Sequence, residues 1–172
     1  MLLKYLKEFS VKQLLKNSFL KEKKQPNSNK IKTVGLLIDE CCFKDKNQLI
    51  EQLFFNGFLE KNIEVLLYRS RINKNKVCKY PFFTSNDINW NGAVNNKVVT
   101  DFIDKEFDLL ISYYDVEKAI LLLVTNQSKA DFKVGFSSID KRINNLMINV
   151  NAQNYKVFVY ELFRYLKILN KI

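Results

Sequence analysis

The chain has 172 residues, 47% of them apolar, which is enough for one sizeable core and too few for two ordinary domains. Its formal net charge is +10 and it has no histidine, which excludes Ser–His and Cys–His catalytic arrangements. Its three cysteines, Cys41, Cys42 and Cys78, have no CxxC spacing, which argues against a disulfide framework and a tetrahedral metal site. We therefore expect a cytoplasmic protein that holds no metal.

Residues 1–30 are predicted to form a basic, amphipathic helical arm that ends in a linker. The apolar residues of the arm recur at helical spacing in two segments, 2–9 and 11–19. Between these segments, Ser10 and Gln13 have the spacing of a capping box, which predicts a turn near Ser10. Residues 21–30, KEKKQPNSNK, contain no large apolar side chain and are typical of a linker. The α/β domain is therefore expected in residues 31–172.

The positive charge is concentrated in this arm. Residues 1–32 hold nine lysines against two glutamates, a net charge of +7, whereas the remaining residues carry only +3. Such asymmetry indicates an acidic partner, such as RNA or an anionic membrane surface, although a lysine-rich genome composition would also produce it. Eight lysines are the predicted nucleic-acid contacts: Lys4, Lys7, Lys12, Lys16, Lys21, Lys23, Lys24 and Lys30.

After the arm, short apolar runs alternate with longer amphipathic ones, which is typical of βα units that share a parallel sheet. Strands are predicted at residues 32–38, 63–69, 107–114, 132–136 and 146–150, and helices at residues 45–61, 95–106, 116–127 and 152–169. Pro81 places any strand in residues 70–93 at an edge, and the continuous apolarity of residues 107–114 predicts a central strand. The pattern predicts a single Rossmann-like three-layer domain with a mainly parallel sheet of about five strands and helices on both faces.

Two absent patterns narrow the function further. The longest apolar run, residues 119–124, is far shorter than the roughly 20 residues of a membrane helix, so no transmembrane segment is expected. None of the four glycines belongs to a GxGxxG or GxxxxGK[ST] loop, which would bring backbone amides close to a phosphate. We therefore expect no ordinary dinucleotide or P-loop cofactor.

Polar residues follow several predicted strands, where the default site of a doubly wound sheet lies. Asp39, Arg69, Asp115 and Ser137 are the candidate contacts of a crevice at these strand ends. Asp39 and Asp115 have the chemistry to flank a divalent cation. The alternative that we favour is that both cap the following helices.

A long segment carries a resemblance to known families. Residues 107–136, FDLLISYYDVEKAILLLVTNQSKADFKVGF, with KRINNLMINV after them and the closing YLKILNKI, resemble an uncharacterised Bacteroidota family, a domain of unknown function. The segment is similar, more weakly, to the amino-terminal half of heptosyltransferase-type glycosyltransferases. Those enzymes have an A-x-x-K-x-G-F-like strand, which this chain matches at Ala130, Lys133, Gly135 and Phe136. Because the sugar-nucleotide domain of those enzymes is not among these residues, the resemblance implies a Rossmann-like half-domain rather than glycosyl transfer.

Three functions remain open from the sequence. The first hypothesis is a non-catalytic protein that associates with RNA or the ribosome through the basic arm. The second is a small-ligand-binding or enzymatic domain that uses the strand-end crevice. The third places the arm on an anionic membrane surface, with its leucines in the interface. The sequence leaves the oligomeric state open.

Overall fold

The computed structural model describes residues 30–71, 78–89 and 91–172, together with Ser10 and Gln13, which are both helical. Lys30 is exposed. Seven of the predicted nucleic-acid contacts lie outside the described residues: Lys4, Lys7, Lys12, Lys16, Lys21, Lys23 and Lys24. The division of the chain at residue 30 stays a prediction.

Within the described residues, six strands form one parallel sheet with the order β3-β2-β1-β4-β5-β6. They are β1 (Val34–Asp39), β2 (Ile63–Tyr68), β3 (Phe82–Phe83), β4 (Leu109–Tyr113), β5 (Phe132–Phe136) and β6 (Leu146–Ile148). This order is that of a Rossmann-type sheet and confirms the predicted α/β architecture. The strand beyond the predicted number is β3, which lies at an edge directly after Pro81, as the missing amide hydrogen of proline requires.

The described part of the domain, from residue 30 onward, contains four α-helices: α1 (Lys46–Phe55), α2 (Lys97–Asp104), α3 (Ala119–Gln127) and α4 (Tyr155–Ile168). The first three lie between strands in the chain, and α4 follows β6. Helix α1 packs beside α4, and α2 packs beside α3. Every residue of β1 and β4 is buried, which requires cover on both faces of the sheet. Helix α1 ends earlier than predicted because the chain turns at Gly57, whose φ of 117° is readily adopted only by glycine.

The centre of the sheet is tightly packed. Strand β4 lies between β1 and β5, which confirms the prediction that residues 107–114 hold a central strand. In β1, the ring of Phe107 approaches to 2.8 Å of the position that a Cβ on Gly35 would occupy, so only glycine fits there. The chain runs outward from β1 to β3 on one side and returns to β4 on the other. The topological switch point therefore lies between the carboxyl ends of β1 and β4.

The described part of the chain contains no candidate membrane-spanning helix. None of the described helices is both long and apolar enough to cross a bilayer.

Candidate functional site

The carboxyl ends of β1 and β2 bring two charged side chains together. Glu40 directly follows β1, and Arg69 directly follows β2. The two ends are held in register because the backbone N–H of Glu40 donates to the carbonyl of Tyr68 at 3.1 Å. Arg69 is fixed in turn by its backbone N–H, which donates to the carbonyl of Phe83 in the next strand. The backbone at both residues is therefore fixed by hydrogen bonds to a neighbouring strand.

Glu40 is the centre of a buried ion-pair cluster. Its side chain is 9% exposed and accepts hydrogen bonds from Lys46 Nζ, at 2.6 Å, and from Arg69 Nε. Burial alone would raise the pKa of this carboxyl, but the hydrogen bonds and charges of Arg69 and Lys46 outweigh burial and lower the pKa from 4.5 to about 2. Glu40 is therefore a carboxylate at every physiological pH.

Arg69 is immobilised from several sides. Besides bonding Glu40, its guanidinium donates from Nη1 to Cys78 Sγ and lies over the ring of Phe82, 4.7 Å from the ring centre. The hydrogen bond to Glu40 is the main reason why the pKa of Arg69 is raised. These contacts engage two of the five N–H donors of the guanidinium.

A pocket of about 410 Å³ opens beside this cluster. Its volume lies within the usual range of small-molecule sites, roughly 300 to 1,000 Å³. It is lined by Glu40, Cys41, Lys44, Lys46, Arg69, Ser70 and Arg71. Four of these side chains are cationic and one is anionic, so the pocket is strongly electropositive. We call it the basic pocket.

The switch point itself is bridged by an ion pair. Lys118, which directly precedes α3, reaches across from the β4 side and bonds Asp39 at the end of β1. The Asp39 side chain is 1% exposed and also accepts from the backbone N–H of Cys41 at 3.0 Å. Burial alone would lower the pKa of Lys118, but the hydrogen bond and charge of Asp39 outweigh it and raise that pKa. The pair lies where a dinucleotide crosses a Rossmann sheet.

The other two predicted crevice residues lie on the far side of this bridge. Asp115 accepts from the backbone N–H of Ala152 at 3.1 Å, and the hydroxyl of exposed Ser137 donates to Asn149 at 2.9 Å. Both contacts fasten the segment between β6 and α4 onto the edge of the sheet. Asp39 and Arg69 therefore lie on one side, and Asp115 and Ser137 on the other.

The helix-cap alternative for the two aspartates is wrong. Helix α1 begins after Asp45 and α3 begins after Lys118, so neither Asp39 nor Asp115 occupies an N-cap. Both carboxylates accept backbone N–H groups, but in the loops that follow the strands. The sequence pattern correctly places both aspartates near the ends of strands. It wrongly predicts that they cap the following helices, because each connecting loop puts several residues between the aspartate and the helix.

Sequence reasoning missed most of the basic pocket. Glu40 and Arg71 were recognisable as charged residues close to strand ends, whereas Lys44 and Lys46 lie in the connection to α1 and its first turn. One pattern could have indicated these residues: the segment from the end of β1 into the first turn of α1 contains two lysines, Lys44 and Lys46, where a nucleotide-binding loop has glycines. No local sequence pattern predicts the ion pair of Lys118, because its partner Asp39 lies 79 residues away.

Comparison with known proteins identifies a family but no function. The model of a family of unknown function (DUF6913) matches residues 7–169, nearly the whole chain. This match confirms the predicted resemblance to a family of unknown function. No curated protein and no solved structure matches the chain.

Proposed function

The chain belongs to this family of unknown function, and we propose that it binds a small, phosphate-bearing molecule in the basic pocket. The observation that carries the proposal is the charge of the pocket: four cations surround it, and its single carboxylate is already paired. The pocket also lies at the carboxyl ends of parallel strands, where Rossmann-type sheets bind their ligands.

The cations retain donors for a ligand. Lys46 uses one ammonium proton on Glu40, and Lys44 donates to the backbone carbonyl of Glu40 at 3.0 Å. Each ammonium has three protons, so two remain on each lysine beyond these contacts. Arg71 adds an exposed guanidinium, whose planar fork suits two oxygens of one phosphate. A dianionic group would neutralise most of the excess positive charge.

The expected ligand is compact and is bound rather than converted. The bridge between Lys118 and Asp39 occupies the switch point that a dinucleotide would cross, so we expect a ligand of mononucleotide size or smaller. The chain has no histidine, the most frequent general base, and the Glu40 carboxylate is too weak a base for that role because its pKa is about 2.

Calorimetric titration tests this proposal with three probes: inorganic pyrophosphate, a nucleoside 5′-monophosphate and the matching nucleoside. We expect both phosphates to bind and the nucleoside to bind far more weakly. The double variant Lys44→Gln/Arg71→Gln should weaken phosphate binding at least about tenfold, since it removes two charged donors. Lys141→Gln/Lys156→Gln changes the net charge equally at exposed sites outside the pocket and should leave the affinity unchanged. Absent phosphate binding, or an equal loss in the control, would contradict the proposal.

RNA association through the arm is the second candidate, and the charge of residues 1–32 favours it. In this proposal the protein lies in the cytoplasm and contacts phosphates non-specifically, with little dependence on base sequence. If roughly five lysines contact single-stranded RNA, log K should fall with log salt with a slope of about −3 to −4. Two further expectations from the sequence, the origin in Bacteroidota and the weaker resemblance to glycosyltransferases, stay predictions.

Filter binding of single-stranded RNA at several salt concentrations tests the second candidate. The triple variant Lys21→Gln/Lys23→Gln/Lys24→Gln should flatten the slope by about 2, because it removes three phosphate contacts. The pocket variant Lys44→Gln/Arg71→Gln serves as control and should keep the full slope. A slope that the arm variant does not change would refute this candidate, and co-sedimentation with anionic vesicles instead of RNA would favour the membrane alternative.

A further inference from the structure

The four cations of the basic pocket come in two pairs on different segments of the chain. Lys44 and Lys46 lie in the connection from β1 and in the first turn of α1, whereas Arg69 and Arg71 follow β2. Glu40 holds the two pairs side by side, because its carboxylate accepts from Lys46 at one oxygen, Oε1, and from Arg69 at the other, Oε2. A pocket with cations on two segments can bind two anionic groups, one beside each pair.

The charge of the pocket exceeds that of a single phosphate. Four cationic side chains and the one carboxylate of Glu40 give the described lining a net charge of +3. A phosphomonoester carries roughly −1.5 to −2 at pH 7, so one such group leaves about one positive charge uncompensated. A second phosphate, linked to the first, would compensate that charge and would lie beside the second pair of cations.

The aromatic rings beside the end of β2 already lie against cations of the protein itself. The guanidinium of Arg69 covers a face of Phe82, 4.7 Å from the ring centre, and Lys118 Nζ lies 5.2 Å from the centre of the Tyr68 ring. Nucleotide sites usually offer an aromatic or apolar surface to the base. The described lining residues of the basic pocket instead carry charged, hydroxyl or thiol groups. The pocket therefore favours a ligand made of phosphate groups over one that carries a base.

We propose that the ligand of the basic pocket is a short inorganic oligophosphate, of the pyrophosphate or tripolyphosphate type, with one phosphate beside each pair of cations. This inference rests on the proposed function and makes its ligand more specific. Arg71 can bind two oxygens of one phosphate through its planar fork, and Lys44 and Lys46 supply point charges to the next phosphate. Affinity then depends on the number of linked phosphates and not on an attached nucleoside.

Calorimetric titration of the full chain tests this dependence, at one salt concentration and without divalent cations, which would themselves bind the phosphates. The probes are orthophosphate, pyrophosphate, tripolyphosphate, a nucleoside diphosphate and a nucleoside triphosphate. We expect pyrophosphate to bind at least about tenfold more tightly than orthophosphate, because it contacts both pairs of cations. The nucleoside diphosphate should bind no more tightly than pyrophosphate, and the nucleoside triphosphate no more tightly than tripolyphosphate.

Single substitutions test whether both pairs take part. Lys44→Gln and Arg71→Gln each remove one cation from one pair, and each should narrow the preference for pyrophosphate over orthophosphate to about threefold or less. Both side chains are exposed, so both variants should fold. Lys156→Gln removes the same charge at an exposed site outside the pocket and should keep the full preference.

Three results would overturn this inference alone. The first is orthophosphate that binds as tightly as pyrophosphate. The second is a nucleoside diphosphate that binds at least about tenfold more tightly than pyrophosphate. The third is a preference for pyrophosphate that neither Lys44→Gln nor Arg71→Gln changes. In the first two cases a phosphate-bearing ligand still binds and the proposed function stands, whereas a chain that binds none of these anions would contradict the proposed function itself.

Discussion

The two halves of the carboxyl edge of the sheet use polar residues in opposite ways. Beyond β4, β5 and β6, the polar side chains hold loops in place: Asp115 binds a backbone N–H, and Ser138 donates to the carbonyl of Asp115 at 2.8 Å. Beyond β1 and β2, charged side chains contact one another around Glu40 and leave a surplus of cations beside a pocket. Position at a strand end therefore does not by itself mark a binding residue.

The boundary between the two halves is the ion pair of Asp39 and Lys118. It links the end of β1 to the loop after β4, while Lys118 also lies over the ring of Tyr68, 5.2 Å from its centre. The half beyond it is closed further by the hydroxyl of Tyr113, which donates to the carbonyl of Ala152 at 2.6 Å. In the proposed function, we therefore expect the ligand to lie on the side of β1 and β2.

Breaking this boundary should have the largest effect on stability. Lys118→Met leaves the buried Asp39 carboxylate without its cation, which should cost about 3 kcal/mol. The double variant Asp39→Asn/Lys118→Met buries no charge at this position and should be more stable than Lys118→Met alone. Urea unfolding measures the free energies of the unaltered chain, of Asp39→Asn, of Lys118→Met and of the double variant. Additive losses in the double variant would show that the two side chains do not depend on each other.

Glu40→Gln should change stability and ligand binding in opposite directions. Removing the carboxylate leaves Arg69 and Lys46 without their shared partner, and should cost about 1 to 3 kcal/mol because the cluster is partly open to solvent at the pocket. The same change makes the pocket more positive, so pyrophosphate should bind more tightly. A variant that is less stable and binds pyrophosphate more weakly would contradict this arrangement of charges.

The pH dependence of stability follows from the same carboxyl. The folded pKa of Glu40, about 2, lies below its ordinary value of 4.5, so the stabilisation is fully present above pH 4.5 and is lost as the pH falls toward 2. The free energy of unfolding should therefore decline less steeply in Glu40→Gln than in the unaltered chain over this range. Chemical denaturation at several pH values measures the two slopes, and equal slopes would show that Glu40 does not contribute.

The sequence predicts the fold much better than the site, for a physical reason. Strand β5 lies at residues 132–136 as predicted, because a strand depends on a local run of apolar residues. Arg69 could be named as a candidate from the sequence because it lies at the end of such a run, and it lines the basic pocket. Lys46 and Lys118 were missed, because periodicity shows which face a residue occupies and not which distant carboxylate a flexible lysine reaches. Long-range pairing is set by strand order, which no local pattern contains.

The smallest expected effects come from the half that holds loops. Asp115→Ala removes the acceptor of the Ala152 N–H and should cost about 1 kcal/mol, since that amide loses a charged partner in a half-buried loop. Ser137→Ala should change stability by no more than about 0.5 kcal/mol, because its hydroxyl is exposed and water replaces Asn149. Neither variant should change the affinity for pyrophosphate, because neither residue lines the basic pocket. Thermal melting and calorimetric titration measure both quantities on the same samples. Weaker pyrophosphate binding in Ser137→Ala, without a loss of stability, would extend the ligand site across the Asp39–Lys118 bridge and remove the distinction between the two halves.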